Sequence, residues 1–319
     1  SEGLIWNGGF YEGPFIIKKD AYGSWTFIEQ TTLEKYLKGV VPHEIGISAP
    51  LAALEVQAVL ARSWALSNIN RFEVDGYNLC SDTQCQVYKD PSKANQVIQQ
   101  AIRNTSQKIL IWNGMPVNAF YHASNGGVMA SADEAWAMNP VPYLQSKLDG
   151  NNQWIKQFSL PINNSSEIKS LLDRSEGANG NNHSRFRWKR TIDSDQLHGA
   201  LLASKGINLL PDGLKIIERG KSGRVLALEI YEESNKMPVV LKLDEIRRTL
   251  RFLPSTLFMI NKLDASTWEF VGGGFGHGVG LSQAGAIDLA GRGWTSEEIL
   301  SHYYPGTIYG TLFDLLKVP

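Results

Sequence analysis

Residues 109–127 read ILIWNGMPVNAFYHASNGG: an alternating strand, an Asn113-Gly114 turn, a second strand and then a polar glycine turn. Asn-Gly between alternating apolar residues predicts a hairpin, because both turn positions need positive φ. Upstream the pattern is helical. Leu51, Leu54, Ala58, Ala61 and Ala65 recur at three- and four-residue spacing after Pro50, predicting a helix with one apolar face of mostly small residues. Thr31 and Glu34 form a capping-box pattern for a shorter helix, LEKYLKGVV, which Pro42-His43-Glu44 ends. A third helix is expected over about residues 92–104, and LIWNGGFY, PFIIKK and SWTFIEQ read as strands before all of these.

Beyond the hairpin the texture changes. Polar Asn/Ser stretches interrupt expected helices near 166–174 and 195–204, and a hairpin pairs 225–231 with 239–243. This predicts an inserted subdomain over 143–262, with 1–142 and 263–319 forming a discontinuous core. Strands and helices mix without βαβ regularity, so the expected class is α+β.

The 319 residues are 43% hydrophobic and 20% charged, with a net charge of −1, which describes a globular chain with a real core. That balance argues against nucleic acid as a partner. The most basic stretch, Arg185 to Arg190, alternates cations with Phe186 and Trp188 and reads as a half-buried strand, with anionic polymer contact as the sharper alternative. No run of apolar residues in the chain is long enough to span a bilayer. A start at Ser1 without Met is expected either of an exported chain that has lost a signal peptide or membrane anchor or of a trimmed one.

Gly272–Gly285, GGGFGHGVGLSQAG, packs seven glycines with His277, Ser282 and Gln283 into fourteen residues. Such density suits close approach of main chain to a polar ligand. Known glycine motifs fail on their own spacing. There is no Lys for a phosphate loop, no third glycine in register for a dinucleotide fingerprint, and Ala284 occupies the last position of a nucleophile elbow around Ser282. Cys80 and Cys85, the two cysteines of the chain, allow a disulfide, half of a zinc set, or free buried thiols. His43-Glu44-Ile45-Gly46-Ile47 begins like a zincin motif but ends in Ile47. What remains is one carboxyl among apolar residues, where desolvation disfavours its charged form and suits it to general acid work.

YLKGVVPHEIG, ALEVQAVLARSWAL, CSDTQCQVY, HASNGG, GHGVGLSQAGA and ILSHYYPGT occur in this order. Together they resemble the stage II sporulation protein D / amidase enhancer (LytB) family, from about Leu4 to Thr307. The resemblance implies a bacterial, extracytoplasmic cell-wall protein with a glycan-binding cleft. It implies a lytic transglycosylase that cuts peptide-stripped peptidoglycan strands and leaves 1,6-anhydro-N-acetylmuramic acid ends. The alternative it carries is a non-catalytic enhancer of an N-acetylmuramoyl-L-alanine amidase. The family's catalytic Glu falls on Glu44. A single carboxyl suffices when the substrate's own C6 hydroxyl is the nucleophile, whereas hydrolysis uses two. Asp133 and Glu134 are the reserve candidates. Arg62, Gln86, Tyr88, His122, Ser124, His277, Ser282 and Gln283 are the expected substrate-binding groups, with the glycine segment as one wall and Glu44 opposite. Two departures matter. Ile45-Gly46 stands where Met-Pro is common, and Val74 and Asp75 stand where relatives with zinc have an upstream His. The implied cofactor is therefore none, with the disulfide of Cys80 and Cys85 ahead of zinc.

Overall fold

The computed structural model describes residues 3–233 and 237–315. The outer limits of the expected core, residues 1 and 319, lie outside that description. The chain mixes eleven α-helices with short strands in several small sheets among the described residues, an α+β architecture. It divides into two compact units, residues 1–120 with 289–319, and residues 121–288. The subdomain expected at 143–262 lies inside the second.

In the first unit, two antiparallel hairpins open the chain: β1 (Leu4–Trp6) with β2 (Gly9–Tyr11), and β3 (Phe15–Lys19) with β4 (Trp25–Glu29). The helices α1 (Leu33–Glu44), α2 (Leu51–Ser67) and α3 (Gln96–Asn104) follow. The N-cap of α1 is Thr32, which accepts from the Lys35 N–H, one residue later than the expected capping box. Glu34 has other work, described below. Pro42 sits in the last turn, where a missing N–H costs one hydrogen bond, so α1 continues to Glu44 instead of stopping before Pro42.

α2 also departs from expectation. It is buried around most of its circumference, not along one small-residue face, because α1, α3, the strand Lys108–Trp112 and the helix Ser296–Tyr303 all pack on it. Polar residues on such a helix must find partners inside the protein. Ser63 Oγ donates to the Val59 carbonyl and accepts from the Leu110 N–H. Arg62, fully buried, donates to both carboxylate oxygens of Glu34 at 2.8 Å and to the Lys108 carbonyl at 2.8 Å.

The Asn113-Gly114 turn forms with both φ angles positive, at 47° and 73°. The hairpin around it is shorter than expected. Lys108–Trp112 pairs with only Met115–Pro116, and on its other edge with Ile308–Thr311. Tyr121–His122 instead pairs in parallel with Leu281–Ser282 in the second unit. The expected second strand is thus divided between two units: its last cross-strand hydrogen bond runs from the Val117 N–H to the Leu110 carbonyl, and the chain then leaves for the second unit.

The second unit has two three-stranded antiparallel sheets, Arg187–Asp193/Thr267–Gly273/Phe258–Lys262 and Gly213–Arg219/Val225–Tyr231/Val239–Lys242. Trp188, Trp268, Phe258 and Phe270 fill one core, and Trp154, Phe158, Leu171 and Phe186 a second. The basic stretch is a strand from Arg187 onward, as expected, but Arg187 does not face solvent. Its guanidinium donates to the carbonyls of Gly126, Leu171, Leu172 and Arg174.

Arg62→Met should lower unfolding free energy by about 2 kcal/mol, because the Lys108 carbonyl and Glu34 lose their donors. Glu34→Gln should cost more, about 3 kcal/mol, because it leaves the fully buried Arg62 guanidinium without its counter-charge. Urea denaturation of both variants measures the difference, and equal costs would contradict the bracing role.

Candidate functional site

Glu44 is the last residue of α1 and is half-buried between the buried Val41 and Ile45. Its Oε1 accepts the Val87 N–H at 2.6 Å. The residues on either side of Val87 are fixed against α1. Gln86 is buried, and its side-chain amide donates to the Tyr36 hydroxyl and the Ala61 carbonyl, each at 3.2 Å. Tyr88 stacks on Tyr36 with centroids 5.2 Å apart and donates to Glu29 Oε2 at 2.7 Å. The Lys89 N–H reaches the Gly39 carbonyl, and the Tyr88 ring lies where a side chain at Gly39 would be: a Cβ there would sit 2.3 Å from Tyr88 Cε2. Burial pushes the phenols of Tyr36 and Tyr88 well above their ordinary value, with nearby Glu44 adding to the first and Glu29 to the second. Both rings therefore stay protonated at neutral pH.

Cys80 and Cys85 form a disulfide just before this segment, with Cα atoms 5.8 Å apart. Joined in this way neither sulfur is a thiolate, the form that zinc binds. Among the described residues no group of three or more His, Cys, Asp or Glu side chains converges as a metal site.

The first unit thus brings Glu44, Gln86 and Tyr88 together, while Arg62 is buried as the brace described above rather than presented as a surface donor. Tyr36 and Glu29 were missed in the sequence. Tyr36 lies eight residues before Glu44, a spacing that returns to one helix face, and this signal was available.

The second unit holds the other set. Ser124 pairs through its backbone with Phe275, by N–H to carbonyl in both directions, and its side chain is buried. The buried His122 points Nδ1 at the Val279 carbonyl, 3.1 Å away, and its ring meets that of His277 edge-on at 5.1 Å. His277, half-buried, donates from Nε2 to the Tyr121 carbonyl and accepts the Val279 N–H at Nδ1. Trp136, which the sequence did not single out, lies 4.9 Å from His277. Desolvation lowers His277 to about 4, with Arg247 and Arg224 acting in the same direction against Asp244. Burial also holds His122 well below its ordinary value, helped by His277 and Arg224. Both rings are neutral at pH 7. Ser282 Oγ accepts from the Gly285 N–H at the start of the helix Gln283–Gly291, and Gln283 is buried there. Of the reserve carboxylates, Asp133 is exposed. Glu134 is a buried cap that accepts from the Ser131 N–H, the Ser146 hydroxyl and the Ser222 N–H.

Residues 21–112, which contain Glu44, Gln86 and Tyr88, match the family model described as stage II sporulation protein. Residues 130–280, which contain His277, match a domain of unknown function. An uncharacterized protein of Brachyspira hyodysenteriae is 30% identical over 96% of this chain and 73% of its own length. The stage II sporulation protein D of Bacillus subtilis is 27% identical over 88% of this chain and 75% of its own length. The amidase enhancer of Bacillus subtilis is 28% identical over 85% of this chain, which spans only 40% of that relative.

The histidines give the second unit an acid limit. A group depressed in the folded state but near 6.5 when unfolded adds full stability above pH 6.5 and loses it as pH falls towards 4. For His277 the loss approaches about 3 kcal/mol, at ~1.4 kcal/mol per pKa unit. Thermal melts from pH 7 to pH 4 should show a steep fall that His277→Gln flattens. Parallel profiles for the two proteins would contradict this.

Proposed function

Because the chain belongs to the stage II sporulation protein D family, we propose that it is a lytic transglycosylase of the bacterial cell wall, acting outside the cytoplasm on peptide-stripped glycan strands. Glu44 is the general acid and base of this reading. It first protonates the glycosidic oxygen between N-acetylmuramic acid and N-acetylglucosamine. It then takes the proton from the C6 hydroxyl as that oxygen closes on C1, giving the 1,6-anhydro end. The C1–O bond to the leaving sugar breaks and a C1–O6 bond replaces it, so no water is consumed.

The observation that carries this reading is the placement of Glu44, a half-buried carboxyl at the end of α1 whose direction is set by the Val87 N–H at 2.6 Å. Other carboxylates on neighbouring elements have fixed duties. Glu34 takes Arg62, Glu29 takes the Gly13 N–H and the Tyr88 hydroxyl, and Asp90 takes the N–H and hydroxyl of Ser92. Single-carboxyl chemistry fits that pattern better than hydrolysis, which needs a partner carboxylate at a set distance. The buried Tyr36 and Gln86, with Tyr88, hold the segment that carries the Val87 donor to Glu44, so their part in this reading is to position the carboxyl.

The second reading is an enhancer that binds glycan and raises the rate of a wall amidase, favoured by the relative that bears the name amidase enhancer. One assay separates the two. Purified protein with peptide-free glycan strands should release anhydro-ended fragments, read by mass spectrometry, and Glu44→Gln should slow release by roughly 10²–10⁴-fold. Silence from the unmodified protein, together with faster amidase turnover on its addition, would overturn the transglycosylase in favour of the enhancer.

A further inference from the structure

The N-terminal hairpins turn their aromatic side outward. In the β3–β4 register Phe15 faces Glu29, Ile17 faces Phe27 and Lys19 faces Trp25, so these six side chains share one face. The opposite face carries Ile16, Thr26 and Ile28, all half-buried. An ordinary hairpin buries its larger rings. Here Trp25 is 69% exposed, Phe27 45% and Ile17 63%. Trp6 of β1, 56% exposed, extends the same surface, with its ring centroid 6.0 Å from that of Phe27. Phe15 stacks on Phe27 at 5.1 Å, and the Lys19 ammonium lies 5.3 Å over the Trp25 ring. Contiguous exposed apolar surface of this kind marks a binding face.

The face does not end blindly. Its last residue on β4 is Glu29, whose carboxylate accepts from Tyr88, and Tyr88 stacks on Tyr36. The residue before Tyr88, Val87, holds Glu44. The aromatic surface and the Glu44 cluster are therefore consecutive parts of one unit, joined by Glu29 and Tyr88.

We propose that this face, centred on Trp6, Trp25 and Phe27, is a platform along which a glycan strand lies as it leads to Glu44. The proposal rests on the reading of the substrate as cell-wall glycan. Three features favour a saccharide. The exposed groups are chiefly flat rings, which match the C–H faces of pyranoses, and Ile17 is the lone aliphatic among them. Trp25 and Phe27 are alternate residues of one strand, so their rings recur about 7 Å apart along a line. Lys19, its ammonium 5.3 Å over the Trp25 ring, supplies a cation at the far end of the face, suited to the carboxylate edge of an acidic amino sugar.

The test uses the full chain carrying Glu44→Gln, so that strands are bound without turnover. Trp25→Ala and Phe27→Ala, alone and together, alter exposed side chains, and circular dichroism checks that the fold persists. The expected result is a roughly tenfold or greater rise in Kd for long peptide-free strands with the double variant. Binding of a tetrasaccharide that spans only the Glu44 cluster should be unchanged. Equal affinity of parent and variant for long strands would overturn the platform while leaving the catalytic reading intact. Binding of no glycan by the parent would overturn both. Variants that keep strand affinity but lose an amidase partner would make the face a protein-docking surface and overturn the proposal.

Discussion

The hydrogen bond from the Val87 N–H to Glu44, at 2.6 Å, ties the end of α1 to the segment that follows the disulfide. Several other features of the first unit exist to let that donor arrive. Gly39 lacks a side chain where the Tyr88 ring must lie, and the Gly39 carbonyl takes the N–H two residues on, from Lys89. The His43 ring meets the Asp90 carbonyl one step further on. Residues 86–90 thus run along α1 with a contact at nearly every position. A carboxyl at a helix end would otherwise be a mobile surface group; here its direction is fixed by the main chain of another segment.

That arrangement depends in turn on a helix that cannot slide. α2 is buried on most sides, and its one cation is committed to Glu34 on α1 and to the strand Lys108–Trp112. A buried guanidinium that lost a partner would be costly, so the ion pair sets where α1 lies on α2 more than it adds net stability. The Ala61 carbonyl of α2 then receives Gln86, which closes the link back to the Glu44 segment.

The glycine segment of the second unit solves a different problem. Gly274, Gly276 and Gly278 have φ of 84°, 107° and 85°, and at each a Cβ would lie 2.8 Å or less from a neighbouring atom. At Gly278 the neighbour is the buried guanidinium of Arg224, and a Cβ there would lie 2.3 Å from its Nη2. Arg224 donates to the Val128 and Asn125 carbonyls, so it stitches the segment to the polar glycine turn. The glycines are needed by packing within the unit, whatever ligand the unit holds.

Local chemistry alone settled much of this. The α+β class, the Asn113-Gly114 turn and the strand nature of Arg187–Arg190 follow from φ preference and alternation, which act over a few residues. The ordered motifs settled family, and singled out Glu44. The sequence could not tell that Arg62 is a brace, that Arg187 turns inward to backbone carbonyls, that Tyr36 and Glu29 join Tyr88, or that Tyr121–His122 leaves its hairpin for Leu281–Ser282. Each of these depends on partners far away in the chain. An arginine, glutamate or tyrosine is chemically the same at the surface and in the interior, and only the packing around it decides whether its polar atoms meet the protein or the solvent.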